Sequence, residues 1–207
     1  MNISEFNHVI QPNKNLDELK QEILSKDRNF FTFDFEHAIN DDVHQKTISI
    51  NDFWKLAKVK AKKVSLFVDE ILSCNVVESA PLGFIREITM PASDVTQGTK
   101  SDKNNTVHIR ERVVVDDASK TLLFFQLDAT GNILLYAINH VEEKNNNLYF
   151  TGHYVYSVRN NSTEKADQDF MKNSNQVLPE RVTSMLARMK SLIYDGKLEE
   201  KYQSLYS

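Results

Sequence analysis

Arg86 and Glu111 stand where apolar residues belong. In "TVHIRERVVVD" (106–116), Val107, Ile109, Val113 and Val115 recur at every second position, and Glu111 holds the centre of that row. In "GFIREITM" (83–90), Phe84, Ile88 and Met90 make the same kind of row, with Arg86 inside it. In a strand, alternate side chains share a face, so both charges fall on apolar faces. An ionised carboxylate buried without a partner costs several kcal/mol or becomes neutral, so a partner is expected. If the segment at 91–105 simply joins the two strands, they are antiparallel neighbours, and Arg86 and Glu111 lie within reach of each other. Such a pair can orient the carbonyl or carboxylate of a ligand in an apolar pocket. Under an enzymatic reading, Glu111 is the proton acceptor and Arg86 stabilises an enolate. Two other readings stand beside these: a purely structural ion pair beneath a helix, and a register slip that turns both side chains outward.

Phe84, Met90, Phe125, Tyr136, Tyr154, Met185 and Met189 fall on expected inward phases and would form the wall. Tyr136 and Tyr154 each bring an apolar ring and a hydroxyl that needs a partner. Methionine is a flexible filler for an irregular space. Each of these residues also fits an ordinary core.

Other chemistry finds little support. None of the histidines pairs at a zinc-binding spacing, and one cysteine, Cys74, builds neither a thiolate cluster nor an intramolecular disulfide. There is no glycine-rich phosphate loop and no nucleophile elbow, so neither a metal nor a cofactor is expected. The formal charge of −4 and pI near 5.9 argue against a nucleic-acid binder. The basic stretch "KLAKVKAKK" (55–63) reads as a solvated helix face, with a local basic patch as the alternative. Stable membrane insertion is not expected, because no apolar run approaches the roughly 20 residues a span needs. The N-terminus lacks the basic start and apolar core of a secretion signal, so the expectation is a cytoplasmic protein.

The 207 residues suffice for one sizeable domain. Residues 1–14 are expected to be irregular, and "NLDELKQEIL" (15–24) has the capping chemistry of a short helix. "FFTFDFEHAI" (30–39) alternates Phe with polar residues and predicts a strand. Ser49 and Asp52 open a helix whose face carries Phe53, Leu56, Ala57, Lys60, Ala61 and Val64. Lys60 interrupts that stripe, its stem expected along apolar surface and its ammonium in water. A break near Val64 predicts two short helices. From residue 73, six strand candidates separated mostly by turn signals predict an antiparallel meander. A polar connection follows, then an amphipathic helix over 177–196 with Pro179 in its first turn and Gly196 at its stop. "KLEEKYQSLYS" (197–207) adds a further turn or two.

This order resembles the helix-grip fold of the START-like superfamily, also called pollen-allergen-like or polyketide-cyclase-like: a curved antiparallel sheet wrapped on a long C-terminal helix. Its wording is similar to the AtaL-like branch. The matching stretches are "HAIN" (37–40), "INDFWKLAKVKA" (50–61), "LFVDEILSCNVVE" (66–78), "GFIREITM" (83–90), "VHIRERVVV" (107–115) and "NILLYAINHVE" (132–142). The resemblance implies an α+β domain over 31–207, with 1–30 an extension to the family core. It also implies a cavity between sheet and C-terminal helix for a hydrophobic or polyketide-like small molecule. The alternatives are a cyclase or aromatase in the same cavity, or an interaction module with a filled core and a partner-binding N-terminal helix.

Overall fold

The computed structural model describes residues 29–40, 47–80, 82–91, 106–127, 133–158 and 164–206. Residues 1–28 of the expected extension, with the expected helix at 15–24, and most of the segment at 91–105 lie outside them, while the extension's last two residues belong to the first strand. Seven strands form one curved antiparallel sheet: β1 (Asn29–Ala38), β2 (Ser73–Ala80), β3 (Gly83–Pro91), β4 (Thr106–Asp116), β5 (Thr121–Leu127), β6 (Ile133–Lys144) and β7 (Asn147–Val158). Their order is β1-β7-β6-β5-β4-β3-β2. The meander therefore runs outward strand by strand, and β1 closes onto β7. Asn145 and Asn146, at φ 53° and 61°, turn β6 into β7; paired positive φ values match the twist of a tight hairpin, and asparagine tolerates them.

Helix α1 (Ile50–Lys62) begins as its sequence dictates. The Ser49 Oγ accepts the Asp52 N–H at 3.1 Å, satisfying one of the unpaired donors of the first turn. A single 3-10 turn, Val64–Leu66, follows it in place of the second short helix. Helix α2 (Glu164–Tyr194) starts well before the expected first turn, so Pro179 lies in its interior. The expectation failed because 164–176 carries no apolar stripe, although Glu, Lys, Ala, Gln and Met there favour helix intrinsically. Gly196, at φ +71°, ends α2 as expected, its N–H donating to the Ile193 carbonyl and that of Lys197 to Leu192. Helix α3 (Leu198–Tyr206) completes the chain.

The core lies between the sheet and helices α1 and α2, where Phe53, Leu56, Val113, Leu122, Phe150 and Met189 are completely buried. The basic stretch is neither a solvated face nor a free patch. Lys55 pairs with Glu199 at 2.7 Å, Lys62 donates to the Leu205 carbonyl, and Lys58 and Lys62 lie against the Tyr206 ring. The lysines dock α3 onto α1.

Gly83 shows how closely β3 and β4 approach. A Cβ there would lie 2.1 Å from the Val113 carbonyl oxygen, a backbone atom that cannot swing aside. Gly83→Ala is therefore expected to cost about 1–3 kcal/mol, read as a lower urea midpoint at unchanged slope. An unchanged midpoint would show that the strands part freely.

Candidate functional site

Register sets the site. Arg86 lies directly opposite Glu111 across β3 and β4, and Glu111 lies opposite Gln126 on β5. Because alternate residues share a face, all three point at the helices together with Phe124, Ala137 and Tyr154, which form the neighbouring row on the same face across β5, β6 and β7. Arg86 Nε and Nη2 both donate to Glu111 Oε2, at 2.7 and 2.5 Å. Nη1 donates to the Ala61 carbonyl at 2.5 Å, and the guanidinium carbon lies 4.9 Å from the centre of the Phe124 ring. Arg86 thus ties the end of α1 to the sheet, and both partners are buried, at 5% and 8% exposure.

Lys60 comes down from α1 into the same space. It is 5% exposed, and its Nζ donates to Asn139 Oδ1 on β6 at 2.6 Å. The Asn139 amide donates in turn to the Ile138 carbonyl at 3.0 Å and the Tyr154 hydroxyl at 3.4 Å. The expectation that the Lys60 ammonium reaches water is overturned, since the helix face that carries it points at the sheet. Burial, reinforced by the Arg86 charge and opposed by Glu111, pushes the amine down to about 7. Burial raises the Tyr154 phenol, against the pull of Asn139.

Lys60, Arg86, Glu111, Gln126 and Tyr154 line a cavity of about 220 Å³. Phe33, Ile88, Ile109, Phe124 and Leu135 wall it on the sheet side; Val64, Val68 and Ile71 on the segment after α1; Leu178, Val182 and Met185 on α2. Arg181 reaches the wall from α2 and pairs with Glu70 at 3.1 Å.

The family model described as AtaL, acetylaranotin biosynthesis cluster protein L, matches residues 33–196. The chain belongs to the AtaL family. The match runs from β1 to the end of α2, further than the stretches legible by eye, and takes in every residue of this AtaL-family site. No curated protein matches. Among solved structures, Ara h 8.0201 is 13% identical with a TM-score of 0.50, over 79% of this chain and 99% of that one. The Zhui aromatase/cyclase from Streptomyces sp. R1128 is 7% identical with a TM-score of 0.54, over 80% and 96%. The di-domain ARO/CYC StfQ from the steffimycin biosynthetic pathway is 10% identical with a TM-score of 0.54, over 84% of this chain and 54% of that one. At such identities the likeness is one of fold, and the fold is helix-grip.

Of the residues the sequence singles out, the AtaL-family cavity brings together Arg86, Glu111, Tyr154, Met185 and Met90. Phe84 and Met189 are buried in the main core rather than on the cavity wall. Phe125 and Tyr136 pair with each other across β5 and β6, rings 6.5 Å apart, on the opposite face of the sheet. Their assigned parity was wrong for a physical reason: "TLLFFQL" and "ILLYAI" are apolar on both faces, so alternation carries no information there. Desolvation pushes the Tyr136 phenol up to about 12, and among the described residues its hydroxyl has no hydrogen-bond partner. Sequence reasoning missed Lys60, Gln126 and Asn139 as inward polar groups. The signal for Lys60 was its place in the apolar stripe of α1.

Proposed function

We propose that this protein binds a small, largely apolar molecule between the sheet and helix α2, with Arg86 and Glu111 orienting its polar end and Phe33, Phe124, Tyr154 and Met185 holding its body. What carries the reading is a mostly apolar cavity whose wall holds a fixed, buried ion pair. Buried ion pairs contribute little net stability, because desolvation offsets the attraction, whereas an apolar pocket with few placed polar groups is the usual form of a ligand site. The volume, below the roughly 300 Å³ at which ligand pockets commonly begin, favours a compact ligand.

Native mass spectrometry of the purified protein is expected to show a co-purifying small molecule, and melting temperature is expected to rise with compact apolar compounds. Glu111→Gln is expected to change which compounds produce the rise. A protein that carries no molecule and responds to no compound would point instead to a filled interior and an interaction module.

A second reading, an enzyme of cyclase or aromatase type in the same cavity, is supported by one observation. The cavity contains an amine whose affinity for protons is tuned near neutrality, as a general base requires. Glu111, the base expected from sequence, has its Oε2 engaged by two guanidinium nitrogens, so Lys60 is the better base.

A further inference from the structure

The binding reading above uses Arg86 and Glu111 and leaves Lys60 over. An ammonium has three donors, and among the described residues Lys60 donates one hydrogen bond, to the neutral Asn139 Oδ1. Its Nζ otherwise faces the Phe124 and Phe150 rings, at 5.2 and 5.6 Å from their centres. Among the described residues, the titratable groups facing this space from the packed elements are Arg86 on β3, Glu111 on β4, Tyr154 on β7 and Arg181 on α2. Glu111 is taken up by Arg86, and Arg181 by Glu70. Among the described residues, the wall therefore holds two buried basic side chains, Lys60 and Arg86, against one buried carboxylate.

We propose that the ligand is an organic anion, a carboxylate or enolate on a compact apolar ring system, whose negative oxygen is received by Lys60 beside the Arg86–Glu111 pair. The proposal rests on the cavity being a binding site. It gives a reason for a lysine at a position where packing alone favours leucine or methionine: its ammonium form has no negative partner in the empty site, and the ligand supplies one. With no anion present, burial holds the amine near its neutral form. When the anion enters, its charge favours the ammonium, so binding takes up a proton from solvent and no other bond is made or broken.

The probes are 2-naphthoate and its neutral methyl-ketone counterpart, 2-acetonaphthone, titrated calorimetrically from about pH 6 to about pH 9 in phosphate and in Tris, whose ionisation enthalpies differ. Naphthoate is expected to bind at least about tenfold more tightly than the ketone near neutrality, the size of a charge-assisted hydrogen bond. Its affinity is expected to fall by about tenfold per pH unit above about pH 7, with uptake of about one proton per ligand near pH 8. Lys60→Met is expected to abolish both the preference for naphthoate and the proton uptake. Lys60→Arg, a permanent cation, is expected to keep the preference and lose the uptake. Circular dichroism and a melting curve on each variant establish that it is folded. Equal binding of the two probes by the unmodified protein, binding without proton uptake, or a preference that survives in Lys60→Met would overturn the proposal while leaving the cavity reading intact. Failure of both probes to bind would overturn that reading, and this one with it.

Discussion

Glu111→Ala is expected to destabilise the protein by about 3–5 kcal/mol, the cost of leaving a buried charge without its partner. The carboxylate receives Arg86 Nε and Nη2 on one oxygen, and Arg86 is 5% exposed. Without it, the guanidinium keeps the Ala61 carbonyl on Nη1 but loses the acceptor for its other two nitrogens. Arg86→Met is expected to cost a similar amount, by stranding the carboxylate. The double substitution Arg86→Met with Glu111→Leu is expected to recover most of the loss, because apolar groups of similar size need no partner. Urea unfolding of the parent, Arg86→Met, Glu111→Leu and the double variant closes the cycle and gives the coupling directly. If both single variants lie within about 1 kcal/mol of the parent, the two head groups are solvated, and a desolvated, fixed pair as ligand anchor is untenable.

That pair was legible in the sequence because β3 alternates around Glu87 and β4 alternates up to Glu111, although Ile85, Arg112 and Val114 on the outer face are also buried. Glu87, His108 and Arg110 are exposed, and Ile88, Ile109 and Val113 are buried, so one charged interruption in each apolar row could be given a side and a partner. Strands β5 and β6 offered no such contrast. Leu123, Phe125, Tyr136 and Ile138 on the outer face are as buried as Leu122, Phe124 and Ala137 on the inner one. Where both faces are apolar, register comes from the neighbouring strands and cannot be read within the segment. Lys60 failed differently. Its position in the α1 stripe was visible, but a long side chain at the margin of an apolar face reaches water in one packing and is enclosed in another. Which occurs depends on β6, nearly eighty residues later in the chain, where Asn139 supplies the acceptor.

Removing that amine is the second large effect, and it runs against the usual direction of a core substitution. The folded protein holds Lys60 at about 7, whereas an unfolded chain has it at its ordinary 10.5. At pH between those values the unfolded state binds the proton and the folded state does not, so stability rises with pH across that window and is lowest below it. A difference of this size corresponds to a penalty on the order of 4 kcal/mol at and below neutrality, vanishing above about pH 10. Lys60→Met removes the penalty while keeping most of the side-chain volume; the Asn139 Nδ2 keeps its Ile138 and Tyr154 acceptors, while its Oδ1 loses the lysine donor, which gives back about 1–3 kcal/mol. The variant is therefore expected to be more stable than the parent by the remaining 1–3 kcal/mol or about that at neutral pH, with the gap closing as pH rises. Carboxylates titrate below this range and histidines mostly below it, but cysteine and tyrosine titrate within or beside it, so the difference in slope between parent and Lys60→Met over about pH 8 to about pH 10 isolates the lysine. A gap between parent and variant that does not narrow there, or a variant less stable than the parent at pH 7, would mean that the ammonium is charged and solvated in the folded state. If the expected slope is found, the unliganded fold carries a standing cost at a position where methionine would relieve it. A cost of that kind, confined to a cavity wall, has its natural explanation in what the cavity receives.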